Sequence, residues 1–165
     1  MKRTQYLRRG KPPGLFAAMM LFMFLSGGIV QAQLTPAGTE TIVNSTTADR
    51  QSMPATAMDT AGNYVVVWES KGTDGSGYGI YAQLFDATGT PSGTEFRVNT
   101  TTIGDQRRPD VAMDQDGDFM VTWMSMGQDG SGWGVYRKLF DNTGTSASSE
   151  LRVNFTSTGH QRDPA

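Results

Sequence analysis

The chain has 165 residues, a formal net charge of −2, 37% hydrophobic residues and no cysteine. Without a thiol there is no disulfide framework, no thiolate nucleophile, no zinc–sulfur site and no lipoprotein anchor, so packing and strand pairing must hold the fold. The near-neutral, slightly acidic balance gives no electrostatic footprint for nucleic acid or for an anionic membrane surface.

Residues 1–32 read as a secretory signal peptide. Lys2, Arg3, Arg8, Arg9 and Lys11 make a basic start, an apolar run follows from Leu15 to Val30, and Val30-Gln31-Ala32 places small residues before a cleavage point at Gln33. The pair Arg8-Arg9 lacks the surroundings of a twin-arginine signal, and the apolar run is short for a membrane span. With the five basic residues of the leader removed, nine Lys and Arg face 16 acids, a formal net charge of −7 on residues 33–165. The sequence therefore predicts a secreted, acidic chain that leaves the membrane after cleavage.

Beyond the leader the chain repeats with a period of 55 residues. Residues 35–89 and 90–144 align without a gap at 30 identical positions, and a third copy occupies 145–165. Trp68 falls on Trp123, Asp74 on Asp129, Tyr81 on Tyr136 and Phe85 on Phe140. A fixed period of this kind marks a repeat architecture, in which each unit buries its apolar face against its neighbours. No stretch after the leader has sustained helical periodicity, and the reading is all-β.

In chain order, each copy offers four β-type segments. The first is Glu40 to Asn44, matched by Glu95 to Asn99 and Glu150 to Asn154. A loop with Gln-x-x-Pro (Gln51 and Pro54, Gln106 and Pro109, Gln161 and Pro164) leads to the second, Ala55 to Asp59. A tight turn, Asp59 to Asn63, enters the third, Tyr64 to Glu69. Alternation there puts Tyr64, Val66 and Trp68 on one side of a sheet, as it does Phe119, Val121 and Trp123; this is the face assigned to the core in both copies. A glycine-rich loop, Gly72 to Gly79, joins the fourth segment, Ile80 to Asp86, and Asp86 to Gly89 turns towards the next copy. Trp68, Trp123, Tyr81, Tyr136, Phe85 and Phe140 are the expected anchors, and truncating Trp68 to Ala should cost about 3–5 kcal/mol.

Four short strands per unit suit a propeller blade: the period exceeds that of leucine-rich repeats and falls short of an immunoglobulin-type sandwich. The motif A-M-D-x-x-G-[ND]-[YF]-x-V-x-W, followed by D-G-S-G-[YW]-G-[IV]-Y-x-x-L-F-D-x-T-G and E-x-R-V-N, covers essentially Thr35 to Ala165. It is similar to tandem repeats of very large bacterial secreted and cell-surface proteins. That resemblance implies blades of a β-propeller, arrays longer than the two and a half copies here, and a neighbourhood of adhesin or calcium-binding modules. Closed propellers have about 4–8 blades, so the expectation is a fragment of a longer protein, with open strand edges available for self-association.

Candidate chemistry is sparse. Asp114, Asp116 and Asp118 crowd one turn, an oxygen-rich arrangement that calcium favours, although the Gly comes two positions too early for an EF-hand and the turn itself explains Asp and Gly. The loop Asp74-Gly75-Ser76-Gly77, identical to Asp129-Gly130-Ser131-Gly132, lacks the following helix that phosphate binding needs. Asp74, Tyr78, Asp129 and Trp133 are the candidate ligand rim, with Tyr78 and Trp133 as exposed aromatics. The turn Asp-x-x-Gly resembles the Asp-box of sialidase-like propellers without its Ser/Thr and Asp-x-Gly spacing, and repeated acids single out no pair of catalytic carboxylates. His160 is the only histidine and carries no triad. Asn44, Asn99 and Asn154 begin N-x-[ST] sequons, with no glycan expected in a bacterial source. The leading functional expectation is a non-enzymatic surface scaffold or adhesion module whose partners are other protein chains or surface glycans. The alternatives are part of a glycan-active propeller enzyme and a calcium-dependent assembly module.

Overall fold

The computed structural model describes residues 40–162; the signal-peptide reading of residues 1–32 lies outside them. Eight strands form two four-stranded antiparallel meanders. The first sheet contains β1 (Gln51–Met58), β2 (Tyr64–Lys71), β3 (Tyr78–Phe85) and β4 (Pro91–Arg97); the second contains β5 (Gln106–Met113), β6 (Phe119–Met126), β7 (Trp133–Phe140) and β8 (Leu151–Arg152). The fold is all-β, with blade-like sheets recurring at the 55-residue period.

The sheets and the sequence repeats are out of phase. The segment placed first in each repeat closes the sheet of the repeat before it: β4 lies within 90–144 yet pairs with β3, with Tyr81 opposite Arg97 and Phe85 opposite Pro91. Glu40 to Asn44 accordingly forms no strand, because the sheet it would close is not present among the described residues. Residues 90–97 thus tie one repeat into the sheet of its neighbour.

The turns form for the reasons the residues suggest. Asp59 accepts from the Asn63 backbone N–H at 2.8 Å, and Asp86 accepts from the N–H groups of Thr88 and Thr90 at 2.8 and 2.9 Å. The same bonds recur at Asp141 with Thr143 and Thr145. Gly62, Gly89, Gly117 and Gly144 supply the positive φ that these turns need. β1 and β5 each carry a bulge inside Gln-x-x-Pro, where Met53 (φ 53°) and Arg108 (φ 52°) are left-handed.

The two sheets stack face to face, and they do so with opposite faces. The first sheet contributes Val65, Val67, Ile80, Ala82 and Leu84; the second contributes Phe119, Val121, Trp123, Tyr136 and Phe140. These sets are not equivalent in the repeat: Val65 corresponds to Met120, and Phe119 corresponds to Tyr64. The core face expected from alternation is therefore correct for β6 and reversed for β2. The physical reason is that a blade uses both faces, one towards each neighbour, so a single polarity per strand has no meaning here. We call the face carrying Val65 and Val67 leading, and the face carrying Tyr64, Val66 and Trp68 trailing.

Candidate functional site

The candidate rim loops lie at the end of the sheets where one blade passes to the next. The linker between the sheets, and the segment that follows β8, are each bracketed by a pair seven residues apart. Asn99 Nδ2 donates to Gln106 Oε1 at 3.0 Å and to the Thr101 carbonyl, while Asn99 Oδ1 accepts from Ile80 N at 2.7 Å. Gln106 Nε2 closes the linker onto the Ile103 carbonyl. Asn154 and Gln161 repeat the arrangement. Asn99 and Gln106 are buried, so the Asn99 amide is spent inside the protein and offers no glycan acceptor.

The Asp-Gly-Ser-Gly loop clasps the same linker. Gly104 N donates to Ser76 Oγ at 3.3 Å and Tyr78 N to Asp105 Oδ1 at 3.1 Å. In the next copy Gly159 N donates to Ser131 Oγ, and Trp133 N donates to His160 Nδ1 at 3.3 Å. The lone histidine thus takes the place of Asp105 as a backbone acceptor. Asp74 and Asp129 turn inward. Each accepts from the Ser two residues on, and the second oxygen of each is buried against Gly79 and Gly134, where a Cβ would come within 2.8 and 3.0 Å. Arg152 stands 3.8 Å from Asp129 Oδ2.

Of the rim residues, Tyr78 and Trp133 are half-buried rather than exposed. Arg107 lies over the Tyr78 ring at 4.2 Å. The same guanidinium makes a two-pronged bond to the buried carboxylate of Glu69, Nη2 to Oε1 at 2.7 Å and Nε to Oε2 at 3.2 Å. Arg108 N and Ser52 Oγ complete the shell of Glu69. Burial alone would raise the Glu69 carboxyl, but the bonds from Arg107, Arg108 and Ser52 together hold it below its ordinary value. Arg107 is correspondingly raised, chiefly by its bond to Glu69. Sequence reasoning missed this clamp because Glu69 and Arg107 do not repeat: Met124 and Ser52 occupy the equivalent positions.

A second pin does repeat. Glu95 Oε2 accepts from Ser45 N, Ser45 Oγ and Thr46 N at 2.8–3.2 Å, and Glu150 Oε2 accepts from Thr100 N at 2.7 Å. A glutamate in the outer strand of the first sheet, and one just before that of the second, thereby hold the linker that feeds each sheet. The recurrence of Glu40, Glu95 and Glu150 was visible as a repeat; its purpose was not.

At the opposite end of the strands, Asp59, Asp86, Asp116, Gly117 and Asn142 line a polar cleft of about 250 Å³ between the sheets. Asp114 Oδ1 accepts from the backbone of Asp116 and Asp118 at 3.0 Å each, and Asp118 Oδ1 accepts from Asn142 N at 3.1 Å. Asp114 and Asp118 are thus engaged in shaping the turn. Among the described residues no group of three or more His, Asp or Glu side chains is gathered as a metal ion would require. Asp59, Asp86 and Asp141 sit below the ordinary carboxylate value, chiefly through bonds from Asn63, Thr88 and Thr143 respectively.

No family model matches the chain, and no curated protein matches it. Among solved structures, it is similar to the crystal structure of endo-arabinase from Bacteroides thetaiotaomicron VPI-5482, at 15% identity and a TM-score of 0.44. The match covers 63% of this chain and 43% of the endo-arabinase, so the chain spans less than half of the structure that it resembles. That structure is of an enzyme, and the expectation of a non-enzymatic chain is withdrawn on that finding. No helix among the described residues is long and apolar enough to cross a membrane.

Proposed function

We propose that the chain is a secreted β-propeller-type repeat protein serving as a scaffold or adhesion module at the cell surface. One observation supports this reading above the others. The polar residues that recur from copy to copy are spent on shaping turns and joining blades, as Asp86 and Asp141, Glu95 and Glu150, Asn99 and Asn154 illustrate. What the repeat perpetuates is the means of placing one blade on the next. Its partners are protein chains or surface glycans, met through surfaces that the joining contacts leave uncovered.

The experiment is export of the full chain from a bacterial host, followed by cell fractionation and N-terminal sequencing. The expected result is a processed chain beginning at Gln33 and retained on the cell envelope. An unprocessed chain in the cytoplasm would defeat the reading. Release of soluble sugar from a panel of polysaccharides by the purified protein would move it to a glycan-active one.

A further inference from the structure

Several equivalent positions of the two sheets differ in burial, although Met124 is buried as Glu69 is. On the leading face, Val65, Val67 and Ile80 of the first sheet are fully buried, while their counterparts Met120, Thr122 and Val135 of the second are only half-buried. On the trailing face the order reverses at two strand positions, while Trp68, Tyr81 and Phe85 are as buried as their counterparts and Gln83 is buried where Lys138 is half-buried. Phe119 and Val121 of the second sheet are buried, while Tyr64 and Val66 of the first are half-buried. Met113 packs against the core, whereas Met58, at the same place in the repeat, is 62% exposed. The described residues therefore carry one satisfied junction and both halves of a second: the leading face of the second sheet and the trailing face of the first.

We propose that the chain assembles head to tail, the leading face of the second sheet of one molecule stacking on the trailing face of the first sheet of another, as its own two sheets stack. The chemistry of the two outer faces matches. At the internal junction an acid, Glu69, meets Arg107 and the backbone of Arg108. On the outer faces Met124 stands in the place of Glu69 and Met53 in the place of Arg108, while Ser52, the counterpart of Arg107, is turned to Glu69 at the inner junction. Both charges are lost together, so neither outer face presents a clamp that the other cannot answer. The polar substitutions are also paired. Ala55 and Ala82 of the inner leading face become Asp110 and Arg137 on the outer one, while Val111 and Lys138 of the inner trailing face become Thr56 and Gln83.

A contact between two different faces is heterologous, so it continues until a ring closes or a filament forms. With the two sheets of the described residues and closed propellers of about 4–8 blades, closure takes about two to four chains. The inference rests on the scaffold reading and names its partner as a second copy of the same chain.

The test is light scattering coupled to size exclusion on the exported full chain, with two variants, Met58→Asp on the trailing face and Leu139→Glu on the leading face. Circular dichroism checks that each keeps its sheets, and Val135→Glu replaces Leu139→Glu if that variant unfolds. The wild type is expected as an oligomer of about two to four chains, each variant alone as a monomer, and a mixture of the two variants as a one-to-one dimer through the single intact junction. A wild type that stays monomeric across the micromolar range overturns the proposal. A mixture that stays monomeric while the wild type assembles overturns the head-to-tail geometry. Envelope retention is read separately: a monomeric variant that still stays on the envelope leaves the surface reading standing, and an oligomer that does not stay there defeats that reading alone.

Discussion

Glu69 on the first sheet and Arg107 on the second meet in a two-pronged ion pair, 2.7 Å at its shorter arm, in which the carboxylate is fully buried. Removing one partner of a buried pair strands the other, a loss of about 3–5 kcal/mol in fully buried cases. The Arg107 side chain retains 32% of its exposure and can find water once Glu69 is gone, so Glu69→Ala should cost the less of the two. The expected order is that Arg107→Ala destabilises more, because it leaves the buried carboxylate unanswered. Urea titration of both variants measures it, and equal costs would mean that the clamp is not coupled.

The same pair gives a pH dependence with a fixed sign. A carboxyl whose folded value is depressed adds stability above its unfolded value, about 4.3 for glutamate. That stability is lost as pH falls through the depressed folded value. Glu69 is depressed despite its burial, because Arg107, Arg108 and Ser52 bond the charged form. Stability should therefore decline on acidification below about pH 4.3, and Glu69→Gln should flatten that limb. Melting temperature against pH for the two proteins checks it; identical slopes would assign the acid limb to other groups, Asp59, Asp86 and Asp141 foremost.

Gly77 should not tolerate a side chain. Its φ is +38°, and a Cβ would fall on Asp105 Oδ1 and 2.9 Å from the Gly104 carbonyl oxygen, which is backbone and cannot swing away. Gly77→Ala should lower stability by about 1–3 kcal/mol through strain. Gly75→Ala isolates the conformational part, because no atom lies within 4 Å of its added Cβ although its φ is +89°. The difference between the two in chemical denaturation reports the loop-to-linker contact.

Much of this fold was legible and the limits are instructive. The run of β-branched and aromatic residues from Tyr64 to Trp68 and the Asp-Gly turns located the hairpins, because local geometry sets both. The assignment of Glu95 to Asn99 to the wrong sheet arose because the repeat period fixes spacing but not phase: any frame 55 residues long describes the same array. The Trp68 face was misread since alternation separates two faces without saying which is covered, and in a blade both are meant to be. The Glu69–Arg107 clamp was illegible for a different reason. Repetition was the signal followed, and these residues are conspicuous only for failing to repeat.

Asn99 illustrates how a sequon and a structural pin share one sequence. Its side chain is 2% exposed and makes bonds to Ile80, Thr101 and Gln106. Asn99→Ala would leave the Ile80 N–H and the Gln106 carbonyl without their partner, at about 1–3 kcal/mol for each group left unsatisfied. Produced in a glycosylating host, the chain should carry no glycan at this sequon. Intact-mass measurement after glycosidase treatment decides it, since a mass shift traced to Asn99 would require the linker to be open.

Trp68 and Trp123 occupy the same place in the repeat, yet they should not be worth the same. Trp123 has no exposure and sits between the sheets within the main core. Trp68 is 4% exposed but lies on the outer trailing face, where it lines a cavity with Val43, Asn44, Gln51, Ser52 and Pro54. Removing Trp123 opens a cavity walled by two sheets that are already pinned by Glu69 and Arg107, so they cannot collapse onto it. Trp123→Ala should cost the full ~3–5 kcal/mol of a large-to-small core change. Trp68→Ala leaves a space bounded on one side by a linker that can move inward, and partial collapse reduces the penalty. Denaturant midpoints measured on the monomeric Leu139→Glu background would separate this from any effect of assembly. A Trp68→Ala cost equal to that of Trp123→Ala would show that the trailing face of the first sheet is as firmly enclosed as the junction itself.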